Sequence, residues 1–351
     1  MTKMNKKVLI LILNYNGADY VRDCFSSLED IKYPRENYQI LVVDNNSTDN
    51  SIELIKNNWP EIKIIKNQKN IGFAAGNNIG MQYGIDNNFD YIYLLNQDTA
   101  VEPDFLQKAI EVGEYNEKIG AVQSKLLLFK AKSKINSIGN ELHFLGFGFA
   151  GGYQMSDYEI NSKEITYSSG ACFLLKTKVL KEVGLFQEEF FAYHEDTDLS
   201  WRIWLAGYKL MLAPNSVVYH KYEFSRSIKK FYYMERNRYL IILQNYKLAT
   251  ILLISPACIS MSLAMFFYSF IAGWYKENLR VYFYFLKPST WSKIKKARKK
   301  IQSSRKVSDK FFTRKLVGKI EFQDVQNPLL KYIANPIFNL YWQLVRKIIF
   351  W

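Results

Sequence analysis

The residues best placed to do chemistry are carboxylates and amides lying just past short apolar runs. Asp98 ends Leu94-Leu95-Asn96-Gln97-Asp98. A carboxylate at such a strand end can hold a hard divalent cation against a diphosphate, because these cations prefer oxygen ligands. An ordinary turn aspartate gives the same pattern. Glu195, Asp196 and Asp198 fall within four positions of one another, directly before Leu199-Ser200-Trp201-Arg202. Carboxylates this close need a counter-charge or a proton, and one of them could act as a general base with a raised pKa. Acids at a helix N-terminus, favoured by the helix dipole, are the structural alternative, and both readings can hold at once. His220 closes the last apolar run and is placed either to join a metal site or to serve structurally.

Positioning these groups requires a regular scaffold. Val8–Leu13, Ile40–Val43, Ile62–Ile65 and Tyr91–Leu95 read as strands, with helices expected at Ala18–Leu28, Asn50–Asn58 and Phe73–Ile85. Strands that are apolar almost throughout, alternating with helices, imply a doubly wound α/β sheet covered on both faces. Polar clusters follow three of the strands: Asn14-Tyr15-Asn16-Gly17, Asp44-Asn45-Asn46-Ser47 and Asn96-Gln97-Asp98-Thr99. Ligands of open α/β sheets bind outside the carboxyl ends of strands, so these clusters form one candidate site; turns and helix caps are the alternative. Gly72, Gly76 and Gly80 lie along one helix face and let it approach the sheet closely. They do not make G-x-G-x-x-G, which removes the main support for a dehydrogenase. Residues 135–170 read as an irregular Gly-rich loop, Leu199–Ala206 as a helix, Val217–Tyr219 as a last strand, and about Ser227 to Asn245 as a long helix.

The net charge of +14 over 351 residues is divided unevenly. Residues 1–219 hold 22 basic and 27 acidic side chains; residues 220–351 hold 25 and 6. A basic region seeks nucleic acid or an anionic membrane. Here it coincides with Leu248–Tyr275, 28 residues without a charge, and with the basic run Lys293–Lys300. Its aromatics alternate with aliphatics and form no stacking platform, so a membrane surface is expected and nucleic acid is not. One crossing by 248–275 would export a tail with 18 basic and 4 acidic residues, against the positive-inside rule. A shallow or re-entrant helical hairpin with both ends cytosolic is therefore expected in preference to a span or a soluble helix. Asn335 and Pro336 would start a final helix whose Ile337, Phe338, Leu340, Tyr341, Leu344, Val345, Ile348 and Ile349 suit a membrane interface or a core. Cys24, Cys172 and Cys258 show no zinc or disulfide spacing. The basic start followed by Val8–Leu13 mimics a signal peptide, but the apolar run is too short and reads as a buried strand.

Taken in order, these stretches resemble a family 2 glycosyltransferase of the GT-A fold, in the rhamnosyltransferase-like branch. Its motifs match Ile12–Gly17, Val42–Asp49, Asn70–Asn78, Leu94–Thr99, Gly170–Leu174, Glu195–Arg202 and Pro214–His220, over about residues 8–221. The resemblance implies a Rossmann-like mixed sheet flanked by helices over residues 1–225, and a basic, helical, membrane-associating region over 226–351. It implies that Asn14, Tyr15, Asn16 and Asp44 hold the base and ribose of a nucleotide-sugar, with Asn46, Gly72, Asn77 and Gln97 in the same site. It makes Asp98 and His220 ligands of Mg²⁺ or Mn²⁺ and Asp196 the catalytic base, with Glu195 beside it. Asn96 stands where the family's first motif acid belongs, which implies a weaker metal site or a metal held mainly by the diphosphate. The expected activity is inverting transfer, with dTDP-rhamnose the implied donor and a lipid-linked saccharide the acceptor, at the cytosolic membrane face. A polyprenyl-phosphate glycosyl synthase and a non-catalytic nucleotide-sugar or nucleic-acid-binding protein are the alternatives.

Overall fold

Strands form where the sequence runs apolar, and their register decides where the polar clusters land. The computed structural model describes residues 6–222, 231–321 and 328–351. Val8–Asn14 (β1), Tyr38–Asp44 (β2), Lys63–Lys66 (β3) and Tyr91–Asn96 (β4) pair in parallel in the order β3-β2-β1-β4. Val8 to Ile12 are fully buried, as expected of a central strand with helices on both faces. Ala18–Glu29 (α1), Ser51–Asn58 (α2) and Gly72–Asp86 (α3) make the crossovers. α3 lies close on β1: a Cβ at Gly80 would stand 2.1 Å from Leu11 Cδ1, and one at Gly76 2.5 Å from Leu13 Cδ1.

Past β4 the sheet becomes mixed. Thr99–Val101 (β5), Phe105–Glu114 (α4), Ile119–Leu128 (β6) and Ala131–Ser137 (β7) follow, then a short ladder of Asn140–Leu142 (β8) with Gly148–Ala150 (β9). Cys172–Lys176 (β10), Thr177–Val183 (α5), Glu195–Leu205 (α6) and Lys209–His220 (β11) complete the sequence. The described residues give a nine-stranded sheet running β3-β2-β1-β4-β10-β6-β11-β5, with β7 on β6. β10 enters antiparallel between β4 and β6.

Two local expectations change. The 135–170 segment is not irregular throughout; its strands are too short and Gly-broken to show a period. The last strand runs over 12 residues, Lys209–His220, rather than Val217–Tyr219. Pro214 lies within it, where the β6–β11 register shifts between Ala213 and Val217. An irregularity of this kind tolerates a residue with no N–H to donate.

The chain divides into two compact units, one of residues up to Asn140, Ala150–Ile203 and Tyr208–Tyr222, the other of Glu141–Phe149, Trp204–Gly207 and residues from Glu223 on. The second unit contains helices Phe231–Asn245, Leu248–Ile271, Tyr275–Leu286, Pro288–Ser304, Asp309–Thr313 and Asn335–Ile348. The expected helix start near Ser227 and the boundary at 225/226 lie outside the described residues. Phe144 stacks on Trp342 at 4.7 Å, and burial pushes the pKa of neighbouring His143 down to about 3, so it is neutral. Asp309 accepts hydrogen bonds from Lys247 N (2.8 Å) and Thr250 Oγ1, placing a negative charge at the start of the 248–271 helix, where the dipole favours it. Asn335 does not cap the last helix, which continues from Leu330–Ala334; its side chain instead pairs with Ile320 N and O at 2.8 and 3.0 Å.

Candidate active site

The parallel register sets Asn14 opposite Asp44 and Leu13 opposite Asn96, so three polar strand ends lie side by side across β2-β1-β4. Asn14 is fully buried and its Nδ2 donates to Asp44 Oδ1 (3.0 Å), Ser47 Oγ (2.9 Å) and Ser51 Oγ (2.9 Å). Asp44, also fully buried, accepts from Ser47 N and Oγ. These two side chains shape the loops, while Tyr15 and Asn16 are exposed and Asn46 is half-buried. Asn16 and Asn46 both adopt left-handed backbone, at φ 47° and 65°, which asparagine tolerates better than most residues. Gln97 clamps Tyr15, accepting from its N–H at 2.9 Å and donating to its carbonyl at 3.1 Å. Gly17 leaves room for both side chains: a Cβ would stand 2.5 Å from Asn14 Oδ1 and 2.6 Å from Gln97 Oε1, so a larger residue would have to displace them.

Asp98 and His220 are 122 positions apart in the chain, and strand pairing unites them. β5 pairs with β11 so that Thr99 faces His220, and Lys221 N donates to the Asp98 carbonyl at 2.9 Å. His220 Nε2 lies 3.5 Å from Asp98 Oδ1, and its Nδ1 lies 2.9 Å from Asn136 Oδ1. Cys24 is nearby but does not compete as a ligand: burial, reinforced by the charge of Asp98, pushes its thiol up to about 12. Among the described residues no three His, Cys, Asp or Glu side chains converge as a metal cluster. The donor set is thus one carboxylate oxygen and one imidazole nitrogen. It would fit a Mg²⁺- or Mn²⁺-like ion only if its remaining ligands came from water or from oxygens of a bound ligand.

The three clustered acids have three different fates. Asp198 is fully buried and paired with Arg202 Nε at 2.8 Å, while Gln187 Nε2 donates to it at 2.9 Å. Arg202 in turn donates to the carbonyls of Val183, Gly184 and Leu185 at the end of α5. Glu195 is buried with Oε2 unpartnered, and burial, with Asp196 and Asp198 adding to it, raises its pKa well above the usual carboxylate range. Asp196 accepts from Gly170 N at 3.0 Å and Thr197 N at 2.6 Å. Burial also raises its pKa, and these hydrogen bonds oppose the rise. Burial thus disfavours the charged form of Glu195, while Asp196 is the member of the pair anchored by backbone N–H groups.

The loop before α6 is strained. Phe191, Tyr193 and His194 have φ of 63°, 69° and 67°, an uncommon region for such residues and one that gathers at functional sites. Phe191 O accepts from Ala74 N at 3.1 Å, and its ring lies against Gly72. Gly72 has φ +90°, and a Cβ there would be 2.5 Å from that ring. Asn77 is buried and donates to Phe73 O at 2.9 Å, within α3. Asn96 N donates to Ala171 O at 3.0 Å, next to the Gly170 that holds Asp196. A short hydrogen-bonded path thus joins the Asp98 turn to the acid pair. Sequence reasoning missed Asn136 and Phe191; neither lies in a motif, and only the strand pairing and the backbone angles reveal them.

A sequence profile described as Glycosyl transferase family 2 matches residues 9–184, half of the chain. The chain belongs to glycosyl transferase family 2. A Methanococcus voltae dolichyl N-acetyl-alpha-D-glucosaminyl phosphate 3-beta-D-2,3-diacetamido-2,3-dideoxy-beta-D-glucuronosyltransferase is 25% identical over 237 residues, 64% of this chain and 69% of its own. A Staphylococcus epidermidis poly-beta-1,6-N-acetyl-D-glucosamine synthase is 26% identical over 60% of this chain, which spans about half (48%) of that relative. Among solved structures, GalNAc-T7 with UDP, GalNAc and Mn²⁺ superposes at TM-score 0.56, with 15% identity over 69% of this chain and 48% of its own. S. aureus TarS 1-349 in complex with UDP reaches 0.51, with 15% identity over 97% and 90%. These likenesses establish the GT-A-like fold of the family 2 chain: a mixed sheet flanked by helices, with a helical C-terminal region.

Proposed function

We propose that this family 2 glycosyltransferase is inverting and divalent-metal-dependent, and moves a sugar from a nucleotide-sugar to a hydroxyl of a lipid-linked saccharide. The division among the three acids carries the reading. Asp198 is paired with Arg202, burial disfavours the charge of Glu195, and Asp196 is held by the Gly170 and Thr197 N–H groups, which supports Asp196 as the base. Asp98 and His220 would hold the metal, which when bound offsets charge developing on the diphosphate as the sugar–oxygen bond breaks. Asp196 takes the proton of the acceptor hydroxyl as that oxygen attacks the anomeric carbon. A single in-line displacement then inverts the configuration. Burial works against a second negative charge on Glu195 beside Asp196.

Residues 1–225 would form the catalytic domain and 226–351 the membrane-associating region. Leu248–Ile271 is, among the described residues, the one helix long and apolar enough to cross a membrane, with 22% of its most apolar window buried. Thr250, Ile254, Ala257 and Met261 are buried along one side, while Leu252, Ile259, Leu263 and Phe267 are exposed along another. Trp351 Nε1 donates to Thr250 Oγ1 at 2.9 Å and Tyr341 Oη to Leu253 O, so this helix packs on its own unit. That supports a helix lying in the cytosolic leaflet over one passing through it. The Methanococcus relative's name, with its dolichyl phosphate-linked sugar, supports a lipid-linked acceptor. The rhamnosyltransferase-like motifs make dTDP-rhamnose the first donor to try.

The test is a panel of UDP-, GDP- and dTDP-sugars with Mg²⁺ or Mn²⁺, scored by thermal shift and then by transfer. Asp196→Asn should keep donor binding and lose about 10²–10⁴-fold in turnover. Near-normal turnover by that variant, or a product of retained configuration, would overturn the mechanism.

A further inference from the structure

Asn136 is 3% exposed, and its Oδ1 lies 2.9 Å from His220 Nδ1. An irregularity in β7 presents it. Leu126 faces Ser137 and Leu127 faces Ile135, so Asn136 is the extra residue at a register shift. Bulges of this kind re-aim a side chain and gather beside active sites. On the far side of the same ring, Nε2 stands 3.5 Å from Asp98 Oδ1.

A neutral imidazole carries one N–H, and the partner of one nitrogen decides the state of the other. A carbonyl oxygen at Nδ1 can only accept, so it draws the proton to Nδ1. The Nε2 lone pair is then left facing the Asp98 carboxylate. Two electron-rich atoms at that separation are reconciled by a cation between or beside them. With an N–H at Nε2 instead, the ring would donate to Asp98 and be lost as a ligand.

We infer that Asn136 is a positioning residue that fixes His220 as its Nδ1–H tautomer, so that Nε2 and Asp98 together present a divalent-cation pair. The inference rests on the metal-dependent reading. It matters more here than in a site rich in ligands, because the described residues supply only this two-donor set. Outer partners of metal-ligating histidines commonly contribute 10–100-fold in metal affinity.

The test uses the full chain with ¹⁵N-labelled histidine, His220→Gln assigning the His220 ring signals against those of His143 and His194. Long-range ¹H–¹⁵N spectra should show His220 protonated at Nδ1, and titration with Mn²⁺ alone should broaden its signals. Asn136→Leu should weaken Mn²⁺ binding by about 10–100-fold and mix the tautomers. Asn136→Asp, which keeps an acceptor at Nδ1, should restore both. Unchanged Mn²⁺ affinity in a folded Asn136→Leu overturns the role of Asn136 alone. Failure of Mn²⁺ to broaden wild-type His220 overturns the metal-dependent reading. If Asn136→Leu does not fold, the wild-type spectrum still decides, because a neutral His220 carrying its proton on Nε2 refutes the inference.

Discussion

The sheet unit and the helical unit invert each other's use of polarity. In the sheet unit, apolar strands are sealed inside, and the buried polar groups Asn14, Asp44, Glu195 and Asp198 gather at the carboxyl edge of the sheet or on the helix beside it. In the helical unit, the consecutive residues Glu235, Arg236, Asn237 and Arg238 are buried, while Leu252 (72% exposed), Phe267 (66%) and Ile271 (86%) are not. The final helix repeats the arrangement. Phe338, Trp342 and Val345 face inward, whereas Ile337, Leu340, Leu344 and Ile348 are exposed. A unit that buries an Arg238–Glu235 pair while showing a stripe of Leu, Ile and Phe exposes the kind of apolar patch that marks interaction surfaces. The difference teaches that one unit buries its costly polar groups around the candidate site, while the other leaves apolar side chains on its surface.

The comparison can be broken most forcefully at the exposed stripe. Replacing Leu252, Ile259, Leu263 and Phe267 by Ser should abolish co-flotation with anionic liposomes, since each buried side chain contributes about 1.5–3 kcal/mol. Donor binding, read by thermal shift, should stay unchanged. Undiminished flotation would sink the contact role. Next in size is Asp309→Ala, which strips the Arg305 ion pair and the cap of the 248–271 helix. Leaving a buried charge unpaired should cost about 3–5 kcal/mol, read as a lower denaturation midpoint. Lys295→Gln with Lys296→Gln, both exposed, should weaken liposome binding by about 2 kcal/mol at low salt and reduce its salt sensitivity.

The smallest effect sharpens the chemical side. The raised pKa of Glu195 means the folded protein binds a proton that the unfolded chain releases as pH rises past the ordinary glutamate range. Stability is therefore lost with rising pH over that window. Glu195→Gln removes the penalty, so its melting temperature should exceed wild type at pH 8 and approach it at pH 5. An identical difference at both pH values would show that Glu195 is not protonated in the fold.

Much of this was legible in the sequence, and for a physical reason. β1, β2 and β4 are short runs apolar almost throughout, a pattern that only a strand covered on both faces or a buried helix shows, and their length excludes the helix. Once they are strands, Asn14, Asp44 and Asp98 must fall at or just past the same edge. The crowding of Glu195, Asp196 and Asp198 likewise announced that protons or counter-charges had to be arranged. Which acid receives which was not legible, because Arg202 reaches Asp198 by helical spacing while Gly170 reaches Asp196 from another strand's approach. The β10 insertion escaped notice because an antiparallel strand between parallel ones leaves no local trace.

What the sequence determined by itself was therefore periodic or additive: strand and helix periods, the place of the strand ends, and the separation of an acidic region from a basic one. What only the tertiary structure decided was partnership. Asp98 meets His220 because β5 pairs with β11, and His220 meets Asn136 because β7 steps out of register on β6. Such contacts depend on the pairing of strands far apart in the chain, and no local composition encodes that pairing.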